Sequence, residues 1–221
     1  MEGEVWIGIA FVTKHRLMLS FVIGAREASL AEPLIAKVEQ RLRAGSWPIW
    51  VSDGLDAYGE ALQRRHSFLQ HYPRTGKPGR PCRPQMVVRP ELKYGQVVKQ
   101  RDEKHRVIGI CKRSRYGDVP LEKISTVYIE RQNLTLRHDN RRLTRKTIAF
   151  SKKFTGLEAQ MFLYQGYYNL VRPHRALRLP ISGVMNNHKK WQPRTPALAA
   201  GLSDHNWSMR EIMSTKIYIN H

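Results

Sequence analysis

Short apolar runs and polar breaks alternate along the first 24 residues. Val5–Val12 (VWIGIAFV) and Leu17–Gly24 (LMLSFVIG) are almost continuously apolar, and the polar stretch Thr13–Arg16 separates them. Two strands joined by a tight turn fit this pattern. Because both runs are apolar throughout, rather than at every second residue, we expect a sheet that is covered on both faces.

A helical spacing follows, and then a strand and a second helix. Ser29–Arg43 is predicted to be helical because its apolar residues recur at intervals of three and four. Those residues are Leu30, Leu34, Ile35, Val38 and Leu42. Trp47–Ser52 (WPIWVS) is a third apolar run that leads directly into Asp53-Gly54, and Ala57–Arg65 is predicted to be the second helix. The order strand, strand, helix, strand, helix is typical of an α/β protein.

The pattern is less regular beyond residue 65. Arg74–Pro84 (RTGKPGRPCRP) is rich in Pro, Gly and Arg, which predicts an extended basic loop. Short strands are predicted at Met86–Val88 and Val107–Cys111. One helix is expected from Val127 towards Phe150, and another from Leu157 to about Leu170. We therefore divide the chain into four segments: the first part of an α/β domain, a basic insertion with strands, two helices that complete the domain, and a C-terminal extension of loops and short helices (residues 1–65, 66–118, 119–178 and 179–221).

Positive charge is concentrated in two parts of the chain. The 38 Lys and Arg exceed the 18 Asp and Glu by 20. Residues 74–115 carry a net charge of +10 and residues 131–153 a net charge of +7, so these two stretches account for 17 of the 20. Localised positive charge of this kind favours a polyanionic partner, and we expect it to be DNA. The residues predicted to contact DNA are Arg74, Lys77, Arg80, Arg83, Arg131, Arg137, Arg141, Arg142, Arg145 and Lys146.

Other classes of protein are disfavoured. Cys82 and Cys111 lie far apart and have no CxxC or Cys/His spacing, so neither a zinc site nor a disulfide framework is expected. No signal peptide is recognisable, and no apolar run approaches the ~20 residues of a membrane-spanning helix. We expect a soluble, cytoplasmic protein that associates with the nucleoid and has no membrane partner.

Two acidic residues are candidates for metal-dependent chemistry. Asp53 follows an apolar strand directly, where α/β sheets present functional groups, although a simple turn aspartate would stand in the same place. Glu130 lies at the start of the basic helix, with Arg137 two turns later, although an ordinary solvated helix would show the same charges. Phosphoryl transfer with Mg²⁺ or Mn²⁺ needs two or three carboxylates around the ions, so catalytic Asp53 and Glu130 would have to lie close together.

Several stretches resemble one family of proteins. Thr126–Ser151 (TVYIERQNLTLRHDNRRLTRKTIAFS) is similar to the last catalytic helix of DDE transposases of the insertion-sequence-one type. Other stretches, spread over nearly the whole chain, agree with that family in order and spacing: WIGIAFVTKHRLMLSFVIGARE, VSDGLDAYGEAL, RTGKPGRP, YYNLVRPHRALR and WQPRTPALAAGLSDHNWSMREI. The resemblance implies a ribonuclease-H-like mixed sheet flanked by helices. It also implies cutting and joining of DNA with Mg²⁺ or Mn²⁺, by a homo-oligomer that binds transposon ends and target.

The resemblance also implies roles for three residues of this chain. Asp53 would be the second catalytic acid, Glu130 the third, and Arg137 a residue that contacts DNA. The family's first catalytic Asp precedes the segment that resembles Trp6 and its neighbours, and no residue here matches it. We therefore expect that the first, central strand is lacking, as in a truncated or decayed copy or a downstream reading frame, and that the chain is inactive alone. A non-catalytic nucleic-acid-binding protein is the main alternative, and a nuclease of the same fold is a weaker one.

Overall fold

The fold is mixed α/β, in a computed structural model that describes residues 5–73, 83–144, 148, 151–181 and 190–215. The strands are β1 (Trp6–Val12), β2 (Leu17–Gly24), β3 (Ile49–Asp53), β4 (Ser67–Gln70), β5 (Gln85–Val88), β6 (Lys93–Arg101), β7 (Val107–Tyr116), β8 (Leu179–Pro180) and β9 (Trp191–Gln192). The α-helices are α1 (Ala28–Glu39), α2 (Asp56–Arg65), α3 (Val127–Asp139), α4 (Phe154–Gly166), α5 (Pro196–Ala199) and α6 (Met209–Ser214). The α/β prediction is confirmed.

The strands of the described residues form one three-stranded sheet and three two-stranded ones. In the larger sheet the order is β3–β6–β7, with β6 parallel to β3 and antiparallel to β7. The pairs β1–β2, β4–β5 and β8–β9 make up the other sheets. None of the described helices is long and apolar enough to cross a membrane.

The chain divides into two compact units. Unit 1 contains the residues up to Gly8 and those from Gly24 to Glu130, and unit 2 contains Ile9–Ile23 and the residues from Arg131 onwards.

The β3–β6–β7 sheet of unit 1 carries apolar residues on both of its faces. On one face Tyr94 packs with Ala31 and Ile35 of α1 and with Ala61 and Leu62 of α2. On the opposite face Val97 packs with Val51, Val119 and Ile124. Because side chains alternate along a strand, this packing fixes which residues of β3 and β6 share a face.

In unit 2, residues of β2 contact α4 and the π-helical turn Tyr167–Val171. The Met18 N–H donates to Asn169 Oδ1 at 3.0 Å, and Gln165 Nε2 donates to the carbonyl oxygens of Met18 and Leu19 at 3.0 and 3.1 Å. The Phe21 ring meets Phe162 edge to face. Side-chain amides thus satisfy backbone groups of β2 that a neighbouring strand would otherwise bind.

The long helix predicted from Val127 towards Phe150 is wrong at its carboxyl end. It begins at Val127 as predicted, but α3 stops at Asp139, and Arg141–Leu143 form a single 3₁₀ turn. Asn140 is extended, and its side-chain oxygen accepts a hydrogen bond from the Arg142 N–H at 3.1 Å. Short polar side chains compete in this way with the helical backbone, so Arg141 and Arg142 lie outside the helix.

Candidate functional site

Asp53 is the last residue of β3. Its side chain is half exposed, and one carboxylate oxygen lies 3.4 Å from Arg26 Nη2. The other oxygen accepts a hydrogen bond from the Leu55 N–H at 3.2 Å, which is the turn role that its sequence position also allowed. The acid is therefore engaged by its own unit and remains accessible from solvent.

Glu130 lies in the first turn of α3. Its Oε1 accepts hydrogen bonds from Lys99 Nζ at 2.8 Å and from Thr126 Oγ1 at 3.2 Å. The bond to Lys99 is the main reason why the pKa of Glu130 is lowered from its usual value. A negative charge is also favoured there by the helix N-terminus, so Glu130 is a carboxylate at neutral pH.

Strand β6 contacts the elements that carry the two acids: it pairs with the strand of Asp53, and its Lys99 binds Glu130. Asp53 is the register partner of Val97, because β3 and β6 run parallel. Lys99 follows Val97 by two residues, about 7 Å further along the strand on the same face, and it binds Glu130. Val51 and Val97 pack in one cluster, so Asp53, two residues after Val51, also belongs to that face. The structure thus brings Asp53 and the partner of Glu130 to the same face and the same end of the sheet.

The two carboxylates suit a hard divalent cation in their chemistry. Mg²⁺ and Mn²⁺ prefer oxygen ligands, and Mg²⁺ commonly keeps several waters beside one or two carboxylates. Both side chains are half exposed, which leaves room for such waters. Within the described ranges, no three Asp, Glu, His or Cys residues gather into a group that would hold an ion. Asp53 and Glu130 are the two acids that could contribute to such a site, with further ligands from water.

The basic residues predicted to contact DNA are exposed where the structure describes them. These residues are Arg83 in unit 1 and Arg131, Arg137, Arg141 and Arg142 in unit 2. Arg142 Nη1 also donates to Ser151 Oγ at 3.1 Å. The other predicted contacts, Arg74, Lys77, Arg80, Arg145 and Lys146, lie outside the described residues.

Sequence reasoning missed the two cations that hold the acids. Lys99 was overlooked because β6 was not predicted as a strand, and Arg26 follows β2 without any distinguishing pattern. Tyr58 was also missed: burial, with a smaller contribution from the charge of Asp53, raises its pKa to about 12. A neutral phenol therefore stands near Asp53.

The RPH sequence, Arg172-Pro173-His174, lies in unit 2 and is partly buried. Arg172 forms an ion pair with Asp139, and the His174 N–H donates to the Arg194 carbonyl at 2.8 Å. The His174 ring meets Tyr168 edge to face, and burial lowers the pKa of the imidazole. These contacts fit a structural role for His174.

A comparison with protein families identifies part of the chain. Residues 110–164 match the family model of the IS1 transposases. The match covers 55 of the 221 residues and includes both Glu130 and Arg137. No curated protein and no solved structure matches the chain. The resemblance seen in the sequence is confirmed over this segment.

Proposed function

We propose that the chain is a transposase-related protein that binds DNA, and that Asp53 and Glu130 are two carboxylates of a divalent-metal site for phosphoryl transfer. One observation carries the proposal. The register of β3 with β6, together with the bond from Lys99 to Glu130, supports it, because Asp53 and the lysine that pairs with Glu130 lie on one face of one sheet. The family match independently includes Glu130.

The metal would activate the attacking oxygen and stabilise the leaving oxygen of a DNA phosphodiester. The protein's own contribution would be to hold two negative charges in unit 1 and to bind the DNA backbone. Arg137, seven residues after Glu130 on the same helix, is exposed and proposed to contact a phosphate. We propose transposon ends and target as the DNA partners, and a homo-oligomer as the assembly.

The resemblance matches only two of the family's three acids to residues of this chain. The pair is accordingly proposed to bind metal without joining DNA ends by itself. The second candidate function is non-catalytic binding of nucleic acid. It is favoured by the fact that each acid already has a cationic partner, Arg26 or Lys99, in its own unit.

Titration of Mn²⁺ against the whole chain, followed by the paramagnetic resonance of the free ion, distinguishes the two functions. Asp53→Asn and Glu130→Gln should each weaken Mn²⁺ binding by at least about tenfold, since even the residues that support metal ligands are worth 10–100-fold. Asp118→Asn removes an exposed acid from the same unit and is the matched control, with unchanged affinity expected. If Asp53→Asn and Glu130→Gln bind Mn²⁺ as tightly as the parent, the non-catalytic function is correct.

A further inference from the structure

Lys99 pairs with Glu130 and follows, on the same strand, the register partner of Asp53. Its Nζ lies 2.8 Å from Glu130 Oε1, and its backbone lies two residues beyond the register partner of Asp53. The Lys99 and Glu130 side chains are 40% and 49% exposed, so a water-borne ion can reach the carboxylate without unfolding of the chain. Lys99 therefore places a positive charge beside Glu130, on the strand that pairs with the strand of Asp53.

We propose that Lys99 is a built-in competitor for the metal: its ammonium group pairs with Glu130 in the metal-free state and must leave that carboxylate when a divalent cation binds. This inference rests on the proposed function of Asp53 and Glu130 as metal ligands. Lys99 acts through Glu130, so it is a positioning residue and not a catalytic one.

Two physical effects support competition. First, the Glu130 oxygen that accepts from Lys99 also accepts from Thr126 Oγ1 at 3.2 Å, so that oxygen is already occupied by two donors. A metal that takes this oxygen replaces the ammonium ion. Second, a lysine that remains nearby repels the incoming divalent charge, and this repulsion is only partly screened at distances below the Debye length.

The size of the effect is bounded by the exposure of the pair. Loss of an exposed ion pair such as Lys99–Glu130 changes the metal-binding equilibrium by about fivefold at most. Removal of the repulsion between Lys99 and the metal ion adds to this gain. We therefore expect Lys99→Met to bind Mn²⁺ about three- to tenfold more tightly than the parent chain. Because both effects are screened, the gain should shrink as the salt concentration rises.

The experiment compares, by titration, the Mn²⁺ affinities of the whole chain, of Asp53→Asn and Glu130→Gln, and of four further variants. Lys99→Met retains the length and apolar stem of lysine but removes its charge, whereas Lys99→Arg keeps the charge and should leave the affinity near that of the parent. Lys104→Met removes one exposed positive charge from the same unit, in the β6–β7 turn, and is the control for net charge. Lys99→Met combined with Glu130→Gln should lose the gain, since the competition acts on Glu130.

The outcomes separate this inference from the proposed function. Equal Mn²⁺ affinities for the parent and Lys99→Met, with weaker binding by Glu130→Gln, overturn the role of Lys99 and leave the metal site intact. An equal gain from Lys104→Met also overturns it, because net charge alone would then explain the result. If neither Glu130→Gln nor Asp53→Asn changes the affinity, the metal site itself is wrong, and the role of Lys99 with it.

Discussion

Each of the two acids is paired with a cation that is distant in sequence. Arg26 reaches Asp53 across 27 positions, and Lys99 reaches Glu130 across 31. Each cation offsets the negative charge of the carboxylate that it pairs with. Exposed ion pairs of this kind contribute little to the free energy of folding. Their main effect is that each carboxylate already has a cation beside it.

Backbone conformation matters at one glycine of unit 1 in particular. Gly117, which follows β7, has φ +61°, and a Cβ there would lie 2.6 Å from the Leu92 carbonyl oxygen. Gly117→Ala should lower the free energy of unfolding by about 1–2 kcal/mol for the left-handed conformation. The clash with the backbone should cost roughly 1–3 kcal/mol more. Urea unfolding monitored by circular dichroism measures the loss.

Gly45 provides the control for that prediction. It also has a positive φ, +76°, but nothing lies within 4 Å of its added Cβ. Gly45→Ala should therefore show only the conformational cost of about 1–2 kcal/mol. Equal losses in the two variants would mean that the contact with Leu92 is unimportant.

At the scale of elements, the short helix α6 begins with a cap whose contribution to stability should depend on pH. Ser208 and Glu211 form a reciprocal capping box at the start of α6, and Glu211 also lies 3.0 Å from His205 Nε2. Asp204 contacts the other ring nitrogen at 2.6 Å. Hydrogen bonds to Asp204 and then Glu211 raise the pKa of His205 above its usual value.

The sign of the pH dependence follows from that direction. A raised folded pKa means that the contribution of His205 to stability is fully present below its unfolded pKa, about 6.5, and is lost as the pH rises through the folded pKa. Glu211→Gln keeps a capping side chain but removes the charge, so it should lower the pKa of His205 in an NMR titration. Glu158→Gln removes an acid that does not contribute to the His205 shift and should leave that pKa unchanged. An unaltered His205 titration in Glu211→Gln would contradict the assigned cause.

The sequence predicts those elements whose apolar residues form a regular pattern within the element itself. The apolar runs of β1, β2 and β3 and the helical spacing of α1 are sufficient because each pattern lies within the element's own sequence. Strand β6 (KYGQVVKQR) has few apolar residues, and it is a strand because β3 and β7 pair with both of its edges. Such pairing is a tertiary effect that propensity does not register.

The candidate site was predictable only in part for the same reason. Asp53 could be found because it follows an apolar strand, and Glu130 because of the family resemblance. Lys99 lies on the strand that the pattern did not reveal, and its contact with Glu130 depends on the register of that strand. The early end of α3 depends on the local hydrogen bond of Asn140, which competes with a helical pattern that otherwise continues.

At the scale of the whole molecule, the net charge of +20 is the property that should dominate binding to DNA. Each phosphate neutralised by Lys or Arg releases counterions, so log affinity should fall steeply with log salt concentration. Replacement of Arg74, Lys77, Arg80 and Arg83 by Ala should reduce the magnitude of that slope by about three to four units if all four contact phosphates.

The charge-matched comparison decides whether residues 74–84, the loop predicted from the sequence, bind DNA themselves. Replacing Arg41, Arg43, Lys104 and Arg210 by Ala removes the same charge from exposed positions outside the loop. Because counterion release counts direct contacts with phosphate rather than total charge, this variant should weaken binding at low salt but change the slope less. Fluorescence anisotropy with a labelled duplex, measured at several salt concentrations, gives both slopes. An unchanged slope in the loop variant would show that the loop does not contact DNA and that the remaining basic surface carries the binding.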